Sequence, residues 1–463
     1  MRTWSPQRIA EAAGAELVRD VDQPAGPERV SIDSRDAGPG ALFVGLRGEA
    51  VDGGSFAGQA LAAGAWGALI GPEHAERVGG AREPDGLDGP VLLVAPDPLV
   101  ALQRLAGAWR QELGAKVIGV TGSTGKTSTK DLLLALLAPH RRTVASRANF
   151  NTEIGLPLEI LGAPLGTEVL VLEMAMRGSG QIAELARIAR PDVGVIVSVG
   201  PVHLELLGSV EAIAAAKAEL LDELPAGGTA VIPAGQELLQ RHLRHDLDVV
   251  TFGEDGDIRL RSSDGQHLEI QAQGEAVTLE VSFDQAHLRR NLLAAVGAAR
   301  AVGVTPRGRV ELALSPGRGQ RWSLPEGVTL IDDCYNANPM SVRAALEDLA
   351  ATAQRERHSR RVAVLGDMLE LGPAEDELHA EIGAQARASG VDVLVTVGRR
   401  ARAISSQFGG QTWSVADAPE AAELVPRLVH PGDLVLVKGS RAVGLELVCQ
   451  ALGAGQGRNG ADG

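Results

Sequence analysis

The sequence predicts three successive α/β domains, of which the central one is built on a parallel sheet covered by helices and the C-terminal one is doubly wound. Its length of 463 residues corresponds to about three domains of ordinary size. Short apolar runs alternate with helical stretches along most of the chain, and this alternation is typical of parallel sheets covered by helices. We place the three domains at residues 1–97, 98–314 and 315–463.

Composition and charge indicate a globular protein that does not bind nucleic acid. The chain is 44% hydrophobic and 22% charged, and its formal net charge is -15, whereas nucleic-acid-binding proteins present a basic surface. Cys334 and Cys449 supply neither a disulfide framework nor a metal-ligand spacing. The first residues have no apolar signal-peptide core, and no stretch reaches the roughly 18 apolar residues of a membrane span. We therefore expect a cytoplasmic protein without stable membrane insertion.

The first domain is a glycine-rich α/β segment. We expect it to end in a linker at 83–98, rich in Gly, Pro and Asp, which leads into a helix at 99–113. At the other end of the chain, the glycine-rich tail at 453–463 is predicted to be disordered.

The central domain combines a parallel sheet with antiparallel strands. Apolar runs predict four buried strands, between which helical patterns lie at 181–190 and 209–224. From Leu247 to Phe283 the pattern changes to a period of two, and residues 257–283 are predicted to form a small antiparallel sheet with a turn at Asp264-Gly265. A helix at 285–304 follows. The four predicted strands are 116–122, 167–175, 191–200 and 227–233.

The C-terminal domain repeats the alternation of strand and helix. Its predicted strands lie at 328–335, 360–368, 391–398 and 433–440, and each precedes a helical stretch. This pattern predicts a Rossmann-like, doubly wound domain, although the glycine fingerprint of that fold is absent from the sequence.

A compressed phosphate-binding loop follows the first strand of the central domain. The sequence GSTGKT at 122–127 is shorter than the usual loop, which has four residues between its first glycine and Gly-Lys-Thr. Backbone N–H groups of such a turn converge on a phosphate, and the helix N-terminus adds positive potential. The alternative is a glycine-rich turn that contains a lysine by chance. The order of strand, loop, Lys-Thr and helix favours a P-loop mononucleotide-binding domain. The expected nucleotide-binding residues of the loop are Gly122, Ser123, Gly125, Lys126, Thr127 and Ser128.

Three polar residues follow at successive positions of the same predicted sheet. Glu173 ends one strand, His203 follows the next, and Lys217 lies in an alanine-rich helix. Taken singly, each of them has a solvated surface role as the ordinary alternative. Their order after the loop predicts that they face one crevice, where the glutamate holds a metal ion and the histidine is a second ligand.

This order of residues resembles the Mur ligase family, the ATP-dependent amide ligases of peptidoglycan synthesis, together with folylpolyglutamate synthase. The family has the same short loop, Gly-x-x-Gly-Lys-Thr. The resemblance implies two Mg2+ ions held by Thr127, Glu173 and His203, and carbamylation of Lys217. It also implies that Lys126, Lys217 and His203 are the catalytic residues.

Further residues match the family's nucleotide site. His287 and Asn291 in AHLRRNLLAA match its His-x-x-x-Asn, of which the asparagine contacts adenine. Arg318 in SPGRGQR matches the arginine at the hinge into the last domain. The resemblance therefore adds His287, Asn291 and Arg318 to the ATP-binding set.

Three stretches narrow the resemblance to the branch of the family that joins D-Ala-D-Ala to UDP-N-acetylmuramoyl-tripeptide. They are DDCYNANPMSV at 332–342, NFNTEIGLP at 149–157 and VLGDMLELG at 364–372. The first is the most discriminating. The Asp-Asn-Pro-Arg of the diaminopimelate-adding relatives is absent from the sequence. The resemblance implies substrate contacts at Asn149, Asn151 and Asn338.

The segment at 31–56 is similar to the family's UDP-binding domain, which implies that Ser34 and Arg35 lie nearest to the uridine diphosphate. One departure follows Glu173, where the chain has Met-Ala-Met-Arg and many members have a histidine or asparagine. No contact is therefore carried over at that position.

Two groups in the C-terminal domain have alternative interpretations. Tyr335, the sole tyrosine, is either a core aromatic or a ring stacked near the nucleotide, with Asp333 and Asn336 reaching ribose or phosphate. The flanking polar residues favour the second. Lys438 and Arg441 follow a strand, where ligands enter doubly wound sheets, and are either solvated or facing the dipeptide and the forming anion.

The resemblance implies a ligase that forms an acyl phosphate from ATP and a carboxylate, and we expect its C-terminal domain to close onto the central one. A related ligase with another acceptor, a P-loop kinase and a catalytically dead binding protein are the alternatives. The small-molecule substrates would be the UDP-linked tripeptide and the dipeptide, and we expect a monomer. Whether lysine or diaminopimelate is the tripeptide's third residue stays open.

Overall fold

The computed structural model describes residues 1–20, 25–79, 89–147, 149–358 and 360–454. Most of the predicted disordered tail lies outside these residues, as does the first part of the predicted linker. The rest of that linker contains a buried strand, since its four apolar residues Val91–Val94 complete a sheet. No helix in the described ranges combines the length and apolar character that a membrane crossing requires.

The first sheet has the strand order β1-β5-β4-β3-β2 and is parallel except for β1, which runs antiparallel to β5. Its strands are β1 (Glu16–Arg19), β2 (Arg29–Ser31), β3 (Ala41–Val44), β4 (Gly67–Ile70) and β5 (Val91–Val94). The helices in this part of the chain are α1 (Pro6–Ala13), α2 (Ala57–Ala62) and α3 (Pro72–Gly79).

The second sheet has ten strands and follows α4 (Pro98–Leu113). Its strands are β6 (Lys116–Thr121), β7 (Thr143–Ala145), β8 (Val169–Glu173), β9 (Val193–Ile196), β10 (Thr229–Pro233), β11 (Asp248–Phe252), β12 (Ile258–Asp264), β13 (His267–Ala272), β14 (Glu275–Val281) and β15 (Gly308–Val310). Its helices are α5 (Lys126–Leu137), α6 (Gly155–Gly162), α7 (Gln181–Ala189), α8 (Leu204–Leu207), α9 (Val210–Asp222), α10 (Glu237–Gln240) and α11 (Ala286–Ala301).

The antiparallel strands continue the main sheet and do not form a separate small sheet. The strand order is β15-β14-β13-β12-β11-β10-β9-β6-β8-β7, and β12 joins β11 through the single pair Phe252 and Ile258. The prediction of antiparallel strands at 257–283 is confirmed for β12, β13 and β14. Their fusion to the parallel part depends on that long-range pair, which the local pattern does not encode.

The third sheet has the order β16-β17-β21-β18-β19-β20 and is parallel except for β16. The predicted doubly wound fold is therefore confirmed, with two edge strands, β16 and β20, that the sequence pattern did not predict. The strands are β16 (Gln320–Ser323), β17 (Thr329–Asp332), β18 (Arg361–Gly366), β19 (Val393–Val397), β20 (Gln411–Val415) and β21 (Leu434–Lys438). The helices are α12 (Pro339–Glu356), α13 (Glu375–Ala388), α14 (Arg402–Phe408), α15 (Ala418–Leu428) and α16 (Glu446–Ala451).

Successive residues of the central strands face different cores. In β6, Val117 belongs to a core shared with α4, α7 and α9, whereas Ile118 and Val120 pack with α5 and α11 on the other face. Burial on both faces explains why these strands are apolar throughout. Because β6, β8 and β9 are parallel neighbours, their carboxyl ends meet at one edge of the sheet. The candidate site lies at this edge.

Candidate active site

At one position of the loop between β6 and α5, the backbone has a conformation that only glycine adopts easily. Gly125 caps α5 with a φ of 81°, in the left-handed region. A Cβ atom there would lie 2.8 Å from the Asn291 Oδ1 atom of α11. The loop and α11 are therefore in direct contact, which brings Asn291, a predicted adenine contact, beside the predicted phosphate cradle.

Hydrogen bonds to the segment after β9 fix the front of the loop. The Ser123 hydroxyl donates to the Gly200 carbonyl oxygen at 3.0 Å, and the Thr124 backbone N–H donates to the Ser198 hydroxyl at 2.9 Å. The Ser123 side chain is thus engaged in holding the loop. The Ser123 backbone N–H is engaged as well, because it donates to the Ser198 carbonyl oxygen at 2.9 Å. Both polar groups of Ser123 therefore anchor the loop in this structure.

The Lys126 side chain folds back over the loop. Its Nζ donates to the Gly122 carbonyl oxygen at 2.7 Å. Burial lowers the pKa of the Lys126 ammonium, the carboxylate of Glu173 opposes that change, and the Arg318 guanidinium adds to it. A phosphate group beside this ammonium would stabilise its charged form.

Glu173 gathers polar groups from three segments. Its Oε2 accepts a hydrogen bond from the Thr127 hydroxyl at 2.8 Å, and its Oε1 accepts one from the Asn151 side-chain amide at 2.9 Å. Its backbone N–H donates to the Ser146 hydroxyl at 3.0 Å. The carboxylate is buried but lines a cavity, so oxygen ligands of the kind that Mg2+ prefers converge there.

His203 lines the same cavity, and its hydrogen-bond partner lies in the C-terminal domain. Its Nδ1 atom is in hydrogen-bond contact with the Glu370 carboxylate. Burial lowers the pKa of the His203 imidazole, although Glu370 acts in the opposite direction. Burial thus disfavours the imidazolium, and the neutral ring is the form that binds metal ions.

Lys217 on α9 is a buried cation, 2% exposed. Among the described residues, none forms a hydrogen bond or ion pair with its ammonium. Burial lowers the pKa of Lys217 well below its usual value, and the charge of Lys126 adds to the effect. A lysine in this environment favours its neutral amine, which is a nucleophile.

Two arginines of the C-terminal domain pack against the ring of Tyr335. The Arg318 guanidinium lies 4.0 Å from the centre of the Tyr335 ring, and that of Arg441 lies 5.5 Å from it. Tyr335 is half-buried and lines the cavity, so of its two interpretations the structure supports the ring at the site over the core aromatic.

Lys438 is neither solvated nor free. It is 2% exposed, and its Nζ donates to the Asp333 carboxylate at 2.6 Å and to the Asn336 carbonyl oxygen at 2.9 Å. Asn338 caps α12 by accepting a hydrogen bond from the Ser341 backbone N–H at 3.0 Å. These contacts fix the 332–342 segment against the end of β21.

One cavity of about 940 Å3 joins the central and C-terminal parts of the chain. It brings together all the predicted ATP-binding and metal-binding residues except Gly122. Of the predicted substrate-binding residues, it is lined by Asn149, Asn151, Asn338 and Lys438. The predicted residues outside its lining are Gly122, Ser34, Arg35, Lys217 and Arg441.

Ser34 and Arg35 lie on the loop after β2, away from this cavity. The Arg35 guanidinium donates to the Asp33 carboxylate at 2.9 Å and 3.1 Å through its Nε atom, and this contact lowers the pKa of Asp33 to about 2. Arg35 is mostly exposed. An anionic ligand would have to compete with Asp33 for it.

The sequence interpretation missed several residues at the site. Arg177 and Met340 line the cavity, and Glu370 contacts His203. Glu370 lies within the 364–372 stretch that carried part of the resemblance, so its presence was visible although its role was not. Arg177 lies four positions after Glu173, in the segment that departs from the family pattern.

These features define a three-domain P-loop protein whose phosphate loop, carboxylate and histidine face a cavity that the doubly wound domain also lines. Three family models match the chain in succession: the Mur ligase family catalytic domain at residues 28–107, the Mur ligase middle domain at 120–299 and the Mur ligase glutamate ligase domain at 317–441. The chain belongs to the Mur ligase family.

Similar proteins cover nearly the whole chain. A UDP-N-acetylmuramoyl-tripeptide–D-alanyl-D-alanine ligase of Synechocystis sp. is 37% identical over 433 residues, which is 91% of this chain and 91% of the relative. A crystal structure of MurF from Acinetobacter baumannii has a TM-score of 0.83 and 27% identity, and covers 97% of this chain and 98% of its own. The structure of MurF ligase from Thermotoga maritima in complex with ADP has a TM-score of 0.76 and 30% identity. The match covers 92% of this chain and 96% of that one.

Proposed function

We propose that this chain is an ATP-dependent ligase of cytoplasmic peptidoglycan precursor synthesis. It joins D-Ala-D-Ala to UDP-N-acetylmuramoyl-tripeptide and releases ADP and phosphate. The observation that carries the proposal is the single cavity in which the loop of Lys126 and the carboxylate of Glu173 face the 332–342 segment. The similarity to dipeptide-adding ligases over nearly the whole chain supports the same substrates.

ATP would lie between the loop and the C-terminal domain. The backbone N–H groups of the loop and the N-terminus of α5 would hold its phosphates, with Lys126 beside them. Asn291 and His287 would contact the adenine end. The ring of Tyr335, with Arg318 against it, would cover the nucleotide, and the loop's contact with Asn291 supports this placement. Asp333 and Asn336 would reach ribose or phosphate.

Mg2+ fits the donor set at the end of β8. Thr127 and Glu173 offer a hydroxyl and a carboxylate 2.8 Å apart, and the neutral imidazole of His203 lines the same cavity. These three residues would hold the ions that we propose. When bound, Mg2+ would neutralise negative charge on the phosphates and the attacking carboxylate.

Carbamylation of Lys217 would remove an unfavourable charge. Its neutral amine, favoured by burial, would attack the carbon of CO2 and lose a proton, which leaves an anionic carbamate in place of a buried ammonium. That anion would attract Lys126 and a metal ion, whereas the ammonium repels both. The absence of a counter-charge among the described neighbours of Lys217 supports this proposal.

The reaction requires that two anions meet. Lys126 and the loop N–H groups would stabilise the γ-phosphate while a carboxylate oxygen of the tripeptide bonds to its phosphorus and the bond to ADP breaks. The dipeptide amine would then attack the acyl carbon, and phosphate would leave as the amide forms. Asn338, Lys438 and Arg441 lie on the C-terminal side, where the dipeptide would enter. Closure of that side would exclude water from the acyl phosphate.

Phosphate release from ATP tests the proposal. We expect release only when UDP-N-acetylmuramoyl-tripeptide and D-Ala-D-Ala are both present, and a product heavier than the tripeptide by one dipeptide less water. A phosphorylated acceptor would instead indicate the kinase. Activity with diaminopimelate or glutamate in place of the dipeptide would indicate a related ligase. Parallel assays with lysine- and diaminopimelate-containing tripeptides would identify the third residue.

A further inference from the structure

Glu370 belongs to the C-terminal domain, and its carboxylate lies between two segments of the central domain. It lies in the loop after β18. One of its oxygens contacts the Nδ1 atom of His203, and the other lies 3.8 Å from the Nε atom of Arg177. The backbone contributes as well, because the Glu205 N–H donates to the Glu370 carbonyl oxygen at 3.2 Å. This contact is the point at which the third domain reaches a candidate metal ligand.

The backbone on both sides of this contact is in an unfavourable conformation. His203 has a φ of 54° and Glu370 a φ of 63°, and both lie in the left-handed region that residues with a Cβ atom avoid. Such conformations persist when the surrounding structure imposes them, and they concentrate at functional sites. The close approach of Gly372 to Glu205, at 3.1 Å from a Cβ position, shows how tightly the two segments fit.

We propose that Glu370 is a positioning residue that aims His203 at the metal site when the C-terminal domain contacts the central one. A carboxylate at Nδ1 keeps the proton on that nitrogen, and the lone pair of Nε2 is then free to bind a metal ion. The proposal rests on the proposed function, because it assigns the metal ligand of that site. It makes the completed metal site a consequence of domain contact.

A merely structural role for Glu370 would be to join the domains. Substitution by glutamine separates the two roles. Glu370→Gln keeps the length and hydrogen-bonding capacity of the side chain, but its amide can donate to Nδ1 and so allow the tautomer whose Nε2 carries the proton. The domain contact would survive this change, whereas the affinity for the metal would not. Glu370→Asp accommodates the positive φ better but is too short to reach His203.

The test measures Mn2+ binding in the presence of a non-hydrolysable ATP analogue. The electron paramagnetic resonance signal of free Mn2+ reports how much of the ion is bound. We expect Kd for Mn2+ to rise about 10-fold or more in Glu370→Gln and Glu370→Asp, as is usual for groups that orient metal ligands. The melting temperature and small-angle scattering profile of Glu370→Gln, which keeps the domain contact, should match the unsubstituted protein. The matched control is Glu381→Gln, which alters an ion pair with Arg343 on the same domain and should change nothing.

Mn2+ affinities within twofold of the unsubstituted protein in both variants would overturn the inference, as would a loss of domain contact that accounts for the weaker binding. The ligase assay is kept separate. If the unsubstituted protein forms no dipeptide adduct while the variants still bind Mn2+ weakly, the proposed function fails and the positioning role of Glu370 stands.

Discussion

Lys217 is the residue whose environment is most unusual. Its ammonium lies in a helix face packed against the central sheet, and the nearest charge that influences it is another lysine. A buried ammonium without a partner destabilises a fold, so its retention indicates a use. We propose that the use is carbamate formation.

Replacement of Lys217 by methionine tests this. We expect Lys217→Met to lower kcat by about 100-fold or more, because no carbamate can form. In the unsubstituted protein, 13C-labelled bicarbonate should give a carbamate signal in NMR spectra that is absent from the variant. A variant with unchanged kcat would show that the carbamate has no part in the reaction.

The same substitution has a pH-dependent effect on stability. Burial lowers the pKa of Lys217 in the folded protein, so below the ordinary lysine pKa of about 10.4 the unfolded chain binds more protons. The free energy of unfolding that depends on Lys217 therefore increases with pH. In CO2-depleted buffer, Lys217→Met should gain most over the unsubstituted protein near neutral pH, and the gain should shrink toward pH 10. Thermal unfolding across this range checks the sign, and a constant difference would contradict it.

Arg318 and Tyr335 form a stacked pair that we expect to hold the nucleotide. Cation–π contacts contribute about 0.5–2 kcal/mol, so Arg318→Ala should raise KM for ATP about 10-fold with a smaller effect on kcat. Steady-state kinetics measures both. Arg343→Ala, on the surface of the same domain, is the control and should leave KM unchanged.

The loop and helix α5 form an element whose geometry depends on its contact with α11. Gly125 and Gly180 both cap helices with similar φ values, 81° and 84°, but only Gly125 has neighbours within the reach of a Cβ atom. Substitution of Gly180 therefore introduces backbone strain alone, whereas substitution of Gly125 introduces the same strain and also displaces the nucleotide site.

We expect Gly125→Ala and Gly180→Ala each to lower the free energy of unfolding by about 1–3 kcal/mol, because both force alanine into the left-handed region. Only Gly125→Ala should weaken binding of an ATP analogue, by displacing Asn291. Denaturant unfolding and calorimetric titration give the two quantities. Equal affinity in both variants would mean that the loop tolerates the shift.

On the scale of the whole molecule, the cavity needs both the central and the C-terminal parts of the chain. Its lining comes from the ends of β6 and β8 and from the 332–342 segment, so a change in their separation changes the site. We therefore expect small-angle scattering to record compaction when an ATP analogue and both substrates are added. The same measurement should give the mass of a monomer. An unchanged profile would contradict closure.

Elements and site residues were predictable to different extents. The buried strands of the central and C-terminal sheets were predicted because both of their faces are covered, which leaves long apolar runs. The edge strands β16 and β20 were missed because their residues carry little pattern: most of β16 is half-buried and most of β20 is exposed. The strand at Val91–Val94 was assigned to a linker because the surrounding glycines, prolines and aspartates dominate its composition.

Local patterns along the chain identified the phosphate loop, the order of the buried strands and helices in the second and third sheets, and the polar residues that follow those strands. These depend on neighbours along the chain and on periodic burial. Which of these residues come into contact depends on the packing of the three sheets. Glu370 contacts His203 from 167 positions away, and Lys438 pairs with Asp333 from 105 positions away. Such contacts depend on how separate sheets pack together, and local residue preferences do not encode that packing.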